Sequence, residues 1–131
     1  MLKLLQYDYS QIGNSIDKVI VAIHGWKGDK TSMSPIIRML KIENTGYYLL
    51  EAPYKVDQGE GRSWSYKKSN GMWEVEEPKI LLQNFFSFLF EKFSSENIYV
   101  LGFSQGAMIC LEFVLFLDHK LGGVFPICGF L

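Results

Sequence analysis

The sequence has 131 residues, a formal net charge of −1, and 48% apolar and 15% aromatic residues, enough apolar mass for one packed core. A near-neutral chain without a basic stripe lacks the electrostatic footprint of a nucleic-acid binder. No apolar run is long enough to span a membrane, and none leads into a small-residue cleavage site, so a single soluble, cytoplasmic domain over 1–131 is expected.

Leu2 to Tyr9 leans towards β structure and Gln11 to Ser15 carries turn residues, which predicts an N-terminal strand and turn. Val19 to Ile23 is a continuous apolar run, the pattern of a strand covered on both faces. It leads into the glycine-bearing loop His24-Gly25-Trp26-Lys27-Gly28-Asp29. Ser34-Pro35 predicts a helix with Ser34 as its cap, Ile36, Ile37 and Leu40 on its buried face, and an end before Gly46. Tyr47 to Glu51 is the next strand, closed by Ala52-Pro53. Lys55 to Glu77 is polar and glycine-bearing and includes Trp64, Tyr66 and Trp73. Loops of that length are commonly functional. Pro78 opens a helix with Glu76 and Glu77 at its positive end. Lys79, Gln83, Ser87 and Glu91 recur every four residues as a solvated stripe, leaving Leu81, Phe85, Phe88 and Leu89 for the core.

Ile98 to Leu101 is a buried strand, followed by Gly102-Phe103-Ser104-Gln105-Gly106 and an apolar helix from Ala107 to Leu117, interrupted only by Glu112. Gly-x-Ser-x-Gly between strand and helix is a nucleophile elbow. The chain reverses within a few residues, which strains the backbone at Ser104 and lifts its hydroxyl clear of the sheet. Side chains at 102 and 106 would strike the neighbouring strand and helix, hence glycine at both. The free N–H groups of the helix start favour an oxyanion there. Asp118-His119-Lys120 is expected to close that helix, Gly122-Gly123 to break the chain and Val124 to Cys128 to form a last strand. Cys110 and Cys128 then fall within apolar elements and read as reduced thiols rather than a disulfide framework. The order β-α-β-loop-α-β-α-β predicts a three-layer α/β fold, a mostly parallel sheet with helices on both faces.

With His24-Gly25-Trp26, Ala52-Pro53, Arg62-Ser63-Trp64, Gly102-Phe103-Ser104-Gln105-Gly106 and Lys120-Leu121-Gly122-Gly123-Val124 in this order, the chain resembles the phospholipase/carboxylesterase family of α/β-hydrolases, which includes the acyl-protein thioesterases. Ala107 departs from the glycine often found there. The resemblance implies a small-molecule ester or thioester substrate and no cofactor or metal. It implies Ser104 as nucleophile, the backbone N–H groups of Trp26 and Gln105 as the oxyanion hole, Trp64 near the substrate cleft, and His24 as a residue that shapes the oxyanion loop.

A serine nucleophile needs a base, and the base an orienting carboxylate. After Ser104 the sequence holds only Glu112, Asp118 and His119 of these types. Neighbouring residues on a helix point about 100° apart, so Asp118 and His119 do not orient one another, and fifteen helical residues put His119 roughly 20 Å from Ser104. The resemblance places the acid and His on later strands, so the chain reads as a C-terminally truncated hydrolase. The alternative is a non-catalytic acyl-ligand-binding or interaction module on a hydrolase scaffold. In either case the last strand leaves an apolar edge, and self-association through it is expected.

Overall fold

The computed structural model describes residues 3–128. Leu2, the first residue of the expected N-terminal strand, lies outside them. Five strands form the main sheet: β1 (Tyr7–Ile12), β2 (Lys18–Ile23), β3 (Thr45–Leu50), and, further along the chain, Ile98–Phe103 and Gly123–Ile127. Two short strands within the long loop, β4 (Tyr54–Lys55) and β5 (Arg62–Ser63), pair antiparallel; the later sheet strands are therefore β6 and β7. The sheet order is β1-β3-β2-β6-β7. Only β1 runs antiparallel to its neighbour; β3, β2, β6 and β7 are parallel. The helices are α1 (Ser34–Leu40), α2 (Glu76–Lys92) and α3 (Gln105–Glu112). This is the three-layer α/β-hydrolase arrangement.

β2 shows why its residues are apolar without alternation. Val19, Val21 and Ile23 enter the core beneath α2 and α3, and Ile20 and Ala22 enter a second core against α1. Both faces are covered, so every position from Val19 to Ile23 is buried. On the α2 side Phe85 makes edge or tilted ring contacts with Tyr7, Tyr48, Phe86 and Phe88. Lys79, Gln83, Ser87 and Glu91 are exposed, as their spacing requires, while Leu81 and Leu89 are buried and Phe88 partly so.

Several boundaries differ from the sequence reading. β1 runs on to Ile12 because residues Tyr7 to Ile12 find backbone partners along all of β3, which outweighs the turn character of Gln11. The cap of α1 is Met33, not Ser34, because Met33 is anchored in the α1-side core and the turn before it, closed by Ser34 N–H to Thr31 C=O, already bends the chain. α2 starts at Glu76, with Pro78 inside its first turn, where no N–H is needed. α3 stops at Glu112 and gives way to a 3₁₀ turn, Val114–Phe116, so Asp118-His119-Lys120 is not a helix end. Apolar content carries no length signal, and the buried Val114 is served equally well by the tighter turn. Cys110 is buried and Cys128 exposed, both as free thiols, so only the first is a core residue.

Phe85→Ala is expected to lower stability by about 3–5 kcal/mol, read from urea denaturation, because the vacated space is ringed by aromatics with their own fixed partners.

Candidate active site

The C-terminal ends of β2 and β6 carry the two loops of interest. These strands are direct neighbours in parallel register, Ile23 opposite Gly102, so their loops leave the same sheet edge side by side. Ligand sites of open parallel sheets form at that edge.

Ser104 sits between β6 and α3 with φ 55° and ψ −112°, a conformation that non-glycine residues rarely adopt. The surroundings hold it there. A Cβ on Gly102 would lie 2.6 Å from the Cys110 Sγ and would strike the Gly106 carbonyl. A Cβ on Gly106 would strike the Ile23 carbonyl and lie 2.8 Å from that of His24, so the first turn of α3 rests directly on the end of β2. Gly25 faces the other way: a Cβ there would lie 3.1 Å from the Phe103 carbonyl and 3.2 Å from the Ser104 Cβ. The Ser104 N–H donates to the Ile127 carbonyl of β7 at 2.9 Å. Gln105, Gly106 and Ala107 open α3, where N–H groups have no acceptor within the helix.

His24 is fully buried. The Ala52 N–H donates to its Nε2 at 3.0 Å, so the proton sits on Nδ1, which donates to the Gly25 carbonyl at 2.7 Å. Both ring nitrogens are occupied and neither is free to accept a proton from Ser104. Burial pulls the imidazole below the usual histidine range, opposed by its bond to Gly25. Trp64 is also fully buried, and its indole N–H donates to the His24 carbonyl at 2.9 Å. It therefore presents no free ring surface and contributes only the inner wall of a groove of about 610 Å³ beside the elbow, lined also by Trp73, Val75, Leu82, Gln105 and Met108.

Trp26 is exposed, with the Lys27 ammonium 4.8 Å from its ring centroid. Its N–H has no acceptor among the described residues. The loop around it is held by Lys27 N–H to Arg62 C=O at 2.8 Å, Arg62 N–H to Gly28 C=O at 2.8 Å and Gly28 N–H to Gly25 C=O at 3.0 Å. Gly61, at φ 103°, lets the chain pass against the Lys27 backbone. The Arg62 side chain reaches Glu51 at 3.8 Å, a partly buried pair.

Two side chains with no role assigned from sequence also take part, those of Gln105 and Ser63. The Gln105 side-chain carbonyl accepts from the Trp64 N–H at 3.1 Å, and its amide donates to the Ser63 hydroxyl at 3.1 Å. Ser63 stands in the Arg62-Ser63-Trp64 string, which marked the spot without stating a contact. The second histidine is elsewhere. His119 stacks on Phe90, ring centroids 4.0 Å apart. The Gly122 N–H, shortly after it, bonds to the carbonyl of Ile98, the first residue of β6. Ser104 follows the last residue of β6, about 20 Å along the strand. The structure thus brings Ser104, Gln105, Trp26, His24, Gly25, Gly102, Gly106 and Trp64 together and leaves Asp118 and His119 at the opposite edge.

Fold and edge geometry define an α/β-hydrolase. The sequence pattern of the Phospholipase/Carboxylesterase family matches residues 12–131, and the chain belongs to that family. No curated protein matches the sequence. Among solved structures, esterase PE8 superposes with a TM-score of 0.81 at 20% identity, over 98% of this chain and 66% of its own. The Bacillus cereus carboxylesterase gives 0.71 at 18%, over 92% and 57%. Arabidopsis thaliana SOBER1 gives 0.66 at 22%, over 87% and 62%. At these identities the likeness is one of fold. The chain spans 57–66% of the length of these three structures.

Gly106→Ala is expected to cost about 1–3 kcal/mol or more, since its methyl meets backbone rather than a movable side chain; chemical denaturation checks this. A second expectation concerns pH. Unfolded His24 titrates near its ordinary 6.5 and folded His24 lower. Between those values the unfolded chain binds a proton that the folded chain does not, so stability falls as pH drops below 6.5. Urea midpoints at about pH 7.5 and about pH 5.5 should show that fall, and His24→Gln should flatten it. The Asp29 carboxyl, held low by its bonds to Thr31, acts in a more acidic window.

Proposed function

We propose that this chain is the nucleophile-bearing part of a serine hydrolase acting on carboxylic esters or thioesters. Ser104 attacks the acyl carbon, and the N–H groups of Trp26 and Gln105 receive the oxyanion as the carbonyl π bond opens. The alcohol or thiol then leaves with a proton, and water releases the acyl group from Ser104. The observation that supports this reading is the strained Ser104 backbone packed close against Gly25, with the Trp26 and Gln105 N–H groups lacking acceptors among the described residues. Donors that need not reorganise are worth most at such a site; losing one costs about 3 kcal/mol of barrier.

The proton of Ser104 needs an acceptor other than His24 or His119. In this reading the acid and the imidazole belong to a segment beyond Leu131, in keeping with the greater length of the three structures above. The engaged ring nitrogens of His24 favour one alternative, an acyl-ligand-binding module without turnover. The test is hydrolysis of a short-chain nitrophenyl ester by this chain and by a product extended through the coding sequence downstream of Leu131. Ser104→Ala should lower turnover of the extended product by about 1,000-fold or more. An extended product without Ser104-dependent turnover overturns the enzyme reading, and ester binding that survives Ser104→Ala then supports the alternative.

The outer face of β7 leaves Phe125 53% and Ile127 39% exposed, on a strand hydrogen-bonded along one side to β6. We expect the isolated 131-residue chain to self-associate through this strand; a clean monomer in sedimentation velocity would count against that.

A further inference from the structure

The two oxyanion donors belong to segments far apart in sequence, and among the described residues no hydrogen bond runs directly between residues 24–29 and residues 102–107. Their direct contact is van der Waals only, through Gly25 and Gly106. Such contact limits how closely the segments approach, but a directional bond is needed to keep two N–H groups aimed at one point.

A third segment supplies the bonds. Arg62-Ser63-Trp64 grips the first loop through Lys27 N–H to Arg62 C=O, Arg62 N–H to Gly28 C=O and the Trp64 indole N–H to the His24 carbonyl. It grips the elbow through the Gln105 side chain, which accepts from the Trp64 N–H and donates to the Ser63 hydroxyl. The orientation of that amide is dictated. A backbone N–H only donates, so the Gln105 oxygen faces Trp64. The Ser63 hydroxyl sends its own hydrogen to the Ser65 carbonyl at 2.6 Å, so it accepts from the Gln105 NH₂. Ser63, Trp64 and His24 are buried and Gln105 partly so, which limits the access of water to these bonds.

We propose that Arg62-Ser63-Trp64 is a clip that sets the separation and aim of the Trp26 and Gln105 N–H groups, with Gln105, Ser63 and Trp64 acting through their side chains as positioning residues. As an account of the oxyanion site this rests on the serine-hydrolase reading above; as an account of how the two loops are coupled it does not. Trp64 on this view serves by holding the His24 carbonyl rather than by touching substrate.

The test uses the 131-residue chain with Gln105→Met, Trp64→Phe and Ser63→Ala, each removing hydrogen-bonding groups while leaving the backbone donors in place. Two readouts are taken after urea denaturation has shown each variant folded. The first is amide hydrogen exchange at Lys27 and Gly28, whose N–H groups are hydrogen-bonded. Gln105→Met touches none of these residues, yet should speed their exchange about tenfold if the clip couples the loops. The second is the affinity of phenylboronic acid, whose boron accepts the Ser104 oxygen while the hydroxyl proton passes to solvent, giving a tetrahedral anion in the oxyanion site. Misplaced donors should weaken that adduct about 10- to 100-fold. Ser63→Ala combined with Gln105→Met should weaken boronate binding by less than the product of the two single effects, the signature of one shared interaction. Unchanged exchange at Lys27 and Gly28 in a folded Gln105→Met chain overturns the clip, whatever Ser104 does. Faster exchange with an unchanged, Ser104-dependent boronate affinity overturns its role at the oxyanion site. Equal boronate affinity of the wild-type and Ser104→Ala chains overturns the nucleophile reading instead, and the exchange result then still decides whether the clip exists.

Discussion

Two backbones touch at the C-terminal edge of the sheet, and the site depends on how closely they do so. Gly106 brings the first turn of α3 against the Ile23 and His24 carbonyls, and Gly25 brings the preceding loop against Phe103 and Ser104. Each glycine removes the side chain that would hold the other segment away. The cost of the unusual Ser104 backbone is borne by this packing, together with the Ser104 N–H bond to β7 and the space that Gly102 leaves for Cys110 and α3. Loosening any one contact would let the elbow relax towards ordinary dihedral angles and draw the hydroxyl back towards the sheet.

The polar groups around that contact are arranged as braces. His24 is the clearest case. A buried histidine on the loop next to the Ser104 turn invites a catalytic reading, but its acceptor nitrogen takes the Ala52 N–H and its donor nitrogen the Gly25 carbonyl. It ties the end of β2 to the turn after β3, and burial disfavours its charged form. Trp64 and Gln105 continue the same bracing outwards into the long loop. The result is a junction of three segments, the loop after β2, the long loop and the start of α3, joined by side-chain hydrogen bonds.

Sheet polarity decides which charged residues take part. In a parallel sheet every strand ends on the same edge, so residues at strand ends gather while those at strand starts gather about 20 Å away. Ser104, Trp26 and the clip share one edge; His119, against Phe90, sits at the other. That separation is a property of the fold, and a change in the length of α3 does not alter it.

The central strands β2, β3 and β6, the strand-to-helix turn at Ser104 and both of its glycines were legible in the sequence, because each leaves a local mark: continuous apolar runs for the strands, and glycine where a strand must reverse into a helix. The buried stripe of α2 was legible for the same reason, since Leu81, Phe85 and Leu89 fall on one face by period alone. Element ends were less so. The end of α3 at Glu112 and the extension of β1 to Ile12 follow from packing and ladder partners that are remote along the chain. The roles of His24, Ser63 and the Gln105 side chain depended most on the tertiary structure, because a hydrogen bond between residues about 40 positions apart leaves no period or spacing to read. Sequence determined that a strained hydroxyl stands at the end of a central strand; only the folded chain decided what surrounds it, since that depends on which strand ends meet at one edge.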